Sequence, residues 1–309
     1  MSCSFQLQQE VDMLRIRADV VFSTIKDILL SRGLSPDKAE ILSQIVYGNT
    51  LDGVYTHGIN RFPRIVSNIE TGVLDVNAEL EKVSSCGVIE TYDGHFGIGP
   101  VNAYRAVQRA VEIAHDKGTG IVALAHNNHW LRGSTYGLYA ADNGCIAIAW
   151  SNTKPNMMPW GSSELRIGNN PLVISVPSDD GIHFVFDAAM SQFSYGKLEE
   201  YRLRGEMLPV DGGFDDEWHL TKDPCAIERN SSVIPFGFWK GTSLSIALDL
   251  VAVVLSNGFS VMDVGREGEE RGLSQVFLVI DPSKISDGES IRKNTRKVLD
   301  SITSCSTMD

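Results

Sequence analysis

The sequence has few cysteines, no long apolar run and a shortage of basic residues. Its five cysteines are scattered over 309 residues without a Cys-x-x-Cys pair, which excludes a disulfide scaffold and favours reduced thiols. No apolar run approaches the ~20 residues that cross a bilayer. The polar N-terminus lacks the basic-then-apolar order of a signal peptide. We therefore expect a cytoplasmic protein with no membrane partner.

The charge balance is acidic. With 39 acidic and 27 basic residues, the formal net charge is −12. Such a surface repels phosphate backbones, so we expect no nucleic-acid partner. An anionic small substrate is not excluded, because a local Arg or Lys can reverse the field inside a cleft.

Periodicity predicts a mixed α/β core with helical material from both ends of the chain. Apolar residues make up 43% and charged residues 21%, as in an ordinary globular protein. Helical spacing predicts helices at 20–30, from Pro36 toward Gly53, and at 60–71, 101–117, 136–143, 244–255 and 290–302. Short apolar runs predict strands at 88–92, 121–125, 146–150, 172–176, 184–186 and 275–280.

The segment around His57 is a candidate catalytic site. Imidazole titrates near neutral pH, so His57 could act as a general acid or base. Arg61 follows one helical turn later, which allows both side chains to face one cleft. A guanidinium beside an acid/base histidine suits a 2-keto or 2-hydroxy carboxylate. The alternative from spacing alone is a helix-capping histidine and a solvated arginine.

A second candidate segment, Asn127 to Gly133, directly follows a predicted buried strand. Ligands of open α/β sheets gather at such strand ends, so His129 could hydrogen-bond a substrate oxygen. His126 and His129 could also be ordinary loop residues. Their spacing suits a metal pair, but no nearby acidic residue or cysteine completes a set, so we expect no metal site.

A Rossmann dinucleotide site is not predicted. Gly94, Gly97 and Gly99 follow a strand and precede a helix, but their order is the reverse of Gly-x-Gly-x-x-Gly. In addition, no acidic residue ends the following strand about 20 residues later.

Taken together, these segments resemble the type-2 malate/L-lactate dehydrogenase family, which includes ureidoglycolate and sulfolactate dehydrogenases. The resemblance extends from about residue 18 to about residue 303. Its landmarks are GVYTHGINRFPR (53–64), NNHWLRGSTYG (127–137), MPWGSSELRIGNNPL (158–172), FSYGKLE (193–199), LPVDGGFDDE (208–217) and FGFWKG (236–241).

The resemblance implies an NAD(P)-dependent oxidoreductase that interconverts a 2-keto acid and a 2-hydroxy acid and works as a homodimer. It implies a non-Rossmann NAD(P)-binding domain with a mixed, largely antiparallel sheet. A helical domain would be built from N- and C-terminal segments. The expected divisions are 1–85, 86–193 and 194–309, the last part returning a strand near 275–280.

Site roles are also implied by the resemblance. His57 matches the proton donor, while Arg61 and His129 match residues of the substrate pocket. NADH, or else NADPH, would be held by two segments. These contain His183, Phe184, Val185, Phe186, Asp187, Ala188 and Ala189, and then Trp239 and Lys240.

Two departures from the family pattern affect these expectations. Relatives continue past Asp309 with a segment that touches the cofactor, so affinity for the cofactor could be reduced or another segment could substitute. Ala188, Ala189 and Asn169 replace the more polar residues of the most similar relatives, which leaves the exact substrate and the cofactor preference open. The alternatives are a dehydrogenase for another acid and a catalytically inactive binding homologue.

Overall fold

The computed structural model describes residues 15–178, 181–285 and 287–306, which form a sheet with helices on both faces. The helices are α1 (Ala18–Ser31), α2 (Pro36–Leu51), α3 (Phe62–Glu70), α4 (Gly99–Lys117), α5 (Ser134–Asp142), α6 (Tyr195–Arg204), α7 (Pro224–Asn230), α8 (Trp239–Ser256), α9 (Val261–Arg266) and α10 (Gly288–Thr303). The strands are β1 (Glu81–Cys86), β2 (Ile89–Asp93), β3 (Thr119–Asn128), β4 (Ile146–Ser151), β5 (Leu172–Val176), β6 (Phe184–Ala188), β7 (Gly213–Phe214), β8 (Leu220–Thr221) and β9 (Arg271–Ile280).

The main sheet has seven strands in the order β1-β2-β3-β9-β4-β5-β6, and β7 and β8 form a separate hairpin. Among these strands β2 and β3 are the one parallel pair, and all other neighbours are antiparallel. Since a Rossmann sheet is mostly parallel, the predicted mixed, largely antiparallel sheet is confirmed.

Alternation along the central strands divides the core into two layers, because successive strand side chains point to opposite faces. Val122, Leu124 and Phe277 pack under α4 and α5 on one face. Ala123 and Val276 pack under α8 on the other. The sheet is therefore covered on both faces at its centre.

The N-terminal helices form a layer of their own. Residues of α1, α2 and α3 pack together and against Ile98 and Val101 at the start of α4. Helix α2 begins as predicted, with the Ser35 hydroxyl accepting from the Lys38 amide at 3.4 Å. The division into domains at 85/86 and 193/194 stays a prediction.

Several elements differ from the sequence prediction. The helix predicted at 60–71 begins with a short 3₁₀ turn, and the α-helix starts only at Phe62, next to Pro63. Strand β1 was not predicted because all six of its residues are exposed and show no apolar alternation. The short helices α6, α7 and α9 were also missed; α6, for example, buries only Leu198.

Helix α8 is the most apolar of the long helices in the described part of the chain, although its sequence is not an uninterrupted apolar run. In the described part of the chain it is the one helix long and apolar enough to span a membrane by length and composition alone, and 28% of it is buried. Core helices pass the same test, and Leu248 and Ala252 of α8 pack on the sheet.

We predict that Phe277→Ala lowers the free energy of unfolding by about 3–5 kcal/mol, because it leaves a cavity in the core. Phe277 is 1% exposed, and its ring centroid lies 5.8 Å from that of Trp130 and 5.9 Å from that of Tyr136. Urea unfolding measures the change. As a control, Val298→Ala on exposed α10 should change it by less than about 0.5 kcal/mol. An equally small loss for Phe277→Ala would contradict the prediction.

Candidate active site

The two residues of the first candidate segment are held at the end of α2. His57 ends a short 3₁₀ turn, and a second such turn carries Arg61. The Asn49 side-chain amide donates to the His57 carbonyl at 3.0 Å. Gly58, between the turns, lies so close to Thr50 that a Cβ would sit 2.5 Å from its hydroxyl oxygen. The position of His57 is thus set by backbone contacts with α2.

The structure brings His57, Arg61 and His129 together, although they come from separate segments. The rings of His57 and His129 stack, with centroids 5.7 Å apart and planes inclined by 14°. Burial lowers the pKa of both imidazoles, and the charge of Arg61 lowers it further. The three side chains therefore form one electrostatic unit.

A buried amide network holds His129 at the end of β3. The Asn127 amide donates to Gln275 Oε1 of β9 at 2.8 Å and accepts from Asn102 of α4 at 3.0 Å. The Gln275 amide donates in turn to the Asn128 carbonyl at 3.1 Å. Residues 126–128, expected in a loop, belong to β3 as a result.

The backbone fixes which nitrogen of His129 carries a proton. The Leu131 amide donates to His129 Nδ1 at 3.0 Å, so Nδ1 must be an acceptor. In the neutral ring the proton then lies on Nε2. Burial and the nearby Arg61 hold the pKa of His129 well below its usual value. His129 is therefore a neutral side chain with an N–H to donate.

Neighbouring charges of both signs act on the pKa of His57. Burial and the charge of Arg61 lower its pKa, and Arg132 adds to this effect. Asp187 on β6 acts in the opposite direction and raises it. Asp187 is itself held by the Ser134 amide, which donates to its Oδ2 at 2.7 Å. A residue of the first predicted cofactor segment thus acts on the candidate proton donor.

A cavity opens beside Arg61 and His129. Burial and the neighbouring Arg64 lower the pKa of Arg61. The charge of Glu270 opposes them, with a carboxylate oxygen 3.7 Å from Arg61 Nη2. The polar side chains that line the cavity come from Arg61, Arg64, Asn128, His129, Glu269 and Glu270, among others.

The segment predicted to bind the cofactor forms β6, the edge strand of the sheet. Phe184 and Phe186 are 43% and 40% exposed, while Val185 between them packs on the core. Ala188 ends the strand opposite Leu172, and Ala189 follows it. The strand thus presents two aromatic faces to solvent.

His183 directly precedes β6, and its role in cofactor binding stays a prediction. Its Nδ1 accepts from the Ser178 amide at 3.1 Å, and its Nε2 lies 3.0 Å from Asp142 at the end of α5. Since both ring nitrogens contact protein groups, His183 connects the start of β6 to the end of α5.

Trp239 and Lys240 lie next to the end of β6. The Phe236 amide donates to the Met190 carbonyl at 3.0 Å, which joins the two segments. Trp239 is 62% exposed, and Lys240 Nζ lies 5.9 Å from the centroid of its ring. A Cβ on Gly241 would lie 2.4 Å from the Phe236 carbonyl oxygen, so the turn into α8 is tightly packed.

Within the described ranges no group of three or more His, Cys, Asp or Glu side chains could hold a metal ion. His126, the alternative metal ligand, points instead to Asp93, with Nδ1 2.8 Å from Oδ2.

Comparison with known proteins identifies the family. The family model for malate/L-lactate dehydrogenase matches residues 16–309. The chain belongs to the malate/L-lactate dehydrogenase family. It is therefore an oxidoreductase acting on CH–OH groups, and the family implies a nicotinamide cofactor.

Individual members of the malate/L-lactate dehydrogenase family are similar over most of their length. A 2,3-diketo-L-gulonate reductase from Klebsiella pneumoniae is 44% identical over 295 residues, covering 94% of this chain and 88% of that protein. One from Citrobacter koseri is 43% identical with the same coverage. The crystal structure of malate dehydrogenase from Entamoeba histolytica shares the fold, with a TM-score of 0.89, 23% identity and coverage of 96% and 86%.

The residues around β6 fit a nicotinamide nucleotide of the kind that the family implies. Phe184, Phe186 and Trp239 offer exposed aromatic faces for stacking, and the Lys240 ammonium suits a phosphate. The buried Ser191 hydroxyl has no hydrogen-bond partner in the structure and lies where residue 191 bridges Pro235. An unpaired buried hydroxyl at this junction is suited to a ligand.

Sequence reasoning missed Glu270 and Ser191, and it included Asn128 in the second candidate segment without giving it a role. Glu270 stands in a polar stretch, Gly268 to Arg271, whose composition is typical of any surface loop. Only the folding of β9 beside β3 brings this stretch to Arg61. No local signal could have found it.

We predict that Asp187→Asn lowers the pKa of His57 further, because the substitution removes a negative charge that favours the imidazolium. In the unchanged protein the His57 pKa already lies below its ordinary value of 6.5. NMR titration of the imidazole Cε1–H signals measures both values, with His57→Gln to assign the resonance. Asp142→Asn, next to His183, is the matched control and should leave His57 unchanged. A His57 pKa above 6.5, or one insensitive to Asp187→Asn, would refute the assignment.

Proposed function

We propose that this protein is a reductase that converts a 2-keto acid to a 2-hydroxy acid, with 2,3-diketo-L-gulonate as substrate and NADH as cofactor, NADPH being the alternative. The observation that carries the proposal is the stacked pair of His57 and His129 beside Arg61. The names of the 43–44% identical relatives support the substrate.

Arg61 is the group that binds the substrate carboxylate in this proposal. Its side chain lines the cavity and is 27% exposed, so it can be reached from solvent. A planar guanidinium can hold a carboxylate through two parallel hydrogen bonds. This places the keto group, on the adjacent carbon, near the two imidazoles.

His57 and His129 have different roles. His129 donates its Nε2–H to the keto oxygen and stays neutral, as its low pKa requires. His57 gives up a proton to the same oxygen as that oxygen becomes an alkoxide. When a bound carboxylate neutralises Arg61, one of the charges that lower the pKa of His57 is offset, and Asp187 then favours the protonated form.

The nucleotide is held, in this proposal, by the exposed aromatic side chains of β6 and by Trp239 and Lys240. When bound, it supplies the hydride that adds to the keto carbon. The chain's own residues orient the substrate and provide the proton.

We also propose that the protein is a cytoplasmic homodimer. Among the described residues, the cysteines at positions 86, 145, 225 and 305 form no disulfide, as expected in a reducing compartment. Helix α8 leaves an apolar stripe uncovered, formed by Ile246, Leu250 and Val254 at four-residue spacing, with exposures of 42%, 60% and 78%. In an oligomeric enzyme, a second copy of the chain covers an apolar stripe of this kind.

The catalytic proposal predicts a specific loss for His57→Gln. Turnover of 2,3-diketo-L-gulonate should fall by about 10²–10⁴-fold, the usual contribution of a positioned proton donor. Binding of NADH, followed by its fluorescence, should stay within about threefold, since His57 holds the substrate end of the site. Absorbance at the nicotinamide band measures turnover with NADH and with NADPH. Near-native turnover in His57→Gln would remove His57 from the mechanism, and a protein that binds neither nucleotide would be an inactive homologue.

The dimer proposal predicts a change of mass. For the unchanged protein, light scattering should give twice the 33.9 kDa mass of one chain. The double variant Leu250→Glu with Val254→Glu should have the mass of a single chain, because carboxylates buried at the interface oppose association. Val298→Glu, on exposed α10, is the control and should remain dimeric. A monomer in the unchanged protein would contradict the proposal.

A further inference from the structure

The cavity beside Arg61 contains more hydrogen-bond acceptors than the binding of a 2-keto carboxylate requires. Arg61 and His129 account for the carboxylate and the keto oxygen. Glu269, Glu270 and Asn128 line the same cavity and have no part in the proposed reaction. Ionised carboxylates only accept hydrogen bonds.

Asn128 shows that one of these acceptors is unpaired. The residue is 1% exposed, and its side-chain amide group donates to the carbonyls of Phe96 and Gly97, each at 2.8 Å. Its Oδ1 is buried without a hydrogen-bond partner in the structure. A buried unpaired amide oxygen costs free energy unless a ligand donates to it.

Glu270 adds a negative charge to the hydrogen-bond acceptors of the cavity, which limits the charge of the ligand. Its side chain is 13% exposed and lies 3.7 Å from Arg61, so it remains close to any carboxylate that Arg61 binds. The cavity thus has two guanidiniums, Arg61 and Arg64, and two carboxylates, Glu269 and Glu270. A carboxylate bound at Arg61 already lies next to Glu270, so the charge of Glu270 opposes a second carboxylate on the same side of the ligand.

We infer that Glu269, Glu270 and Asn128 determine substrate specificity by accepting hydrogen bonds from hydroxyl groups and repelling a second carboxylate. The substrate class is a 2-keto acid whose remaining chain is uncharged and hydroxylated. This inference rests on the proposed function, since it assigns the rest of the substrate to the cavity that holds its carboxylate.

Three substrates and substitutions of the two glutamates test the inference. The substrates are 2,3-diketo-L-gulonate, pyruvate, which has no polar chain, and oxaloacetate, which has a second carboxylate. In the unchanged protein we expect kcat/KM to be highest for diketogulonate and lowest for oxaloacetate. Glu270→Gln keeps the shape and removes the charge, and pyruvate corrects for any change at Arg61 itself.

In Glu270→Gln, kcat/KM for oxaloacetate relative to pyruvate should rise by about tenfold or more, because a like-charge repulsion is removed. The diketogulonate-to-pyruvate ratio should fall by at least a few-fold, because hydrogen bonds to a charged acceptor are the stronger ones. Glu269→Gln repeats the test at the second carboxylate, so the result does not depend on one variant. Glu267→Gln is the matched control: Glu267 pairs with Arg271 at 2.8 Å, and both ratios should stay the same.

Unchanged ratios in both Glu270→Gln and Glu269→Gln would overturn the inference, as would a preference of the unchanged protein for oxaloacetate. These outcomes leave the reductase proposal intact. Failure of the unchanged protein to oxidise nucleotide with all three acids would overturn the proposed function and this inference with it.

Discussion

At the centre of the sheet, the contact between β3 and β9 runs through side chains as well as through the backbone. The Asn127 side-chain amide donates a hydrogen bond to Gln275 Oε1, and both side chains are fully buried. Two buried amides would each be costly alone, but paired they satisfy one another and also engage Asn102 of α4. The same pairing fixes the end of β3, and therefore the ring of His129, relative to the stretch that carries Glu270. Core and active site thus depend on one hydrogen-bonded contact.

The candidate site is assembled from distant parts of the chain around this contact. His57 and Arg61 come from the turns after α2, His129 from the end of β3 and Asp187 from β6. The effect of Asp187 on the pKa of His57 links the edge strand to the candidate proton donor. Trp239 and Lys240 reach the same edge through the bond between Phe236 and Met190. The segments proposed to bind the substrate and the nucleotide are consequently connected through Asp187 on β6.

Much of the fold and part of the candidate site could be predicted from the sequence. The predictions succeeded where a local pattern is clear and failed where contacts distant in sequence decide the structure. Strong amphipathic helices such as α4 and buried strands such as β5 were found because their periodicity is clear. His57 and Arg61 could be paired because they are one helical turn apart. Strand β1 has no buried face, and the polar end of β3 is extended only because Gln275 accepts from Asn127. The roles inferred for Glu270 and the unpaired oxygen of Asn128 depend on tertiary contacts, which no local sequence pattern predicts.

The place of β9 in the sheet has a consequence for biosynthesis. The partner of Thr119 is Ile280, so β3 and β4 have open edges until the ribosome has made nearly the whole described chain. At roughly 5–20 residues per second, the delay is about 10–30 s. During that time two apolar strands lack the neighbour that lies between them, and exposed strand edges are sites of aggregation. The nascent chain should therefore need protection by chaperones, and folding should be late and cooperative rather than progressive from the N-terminus.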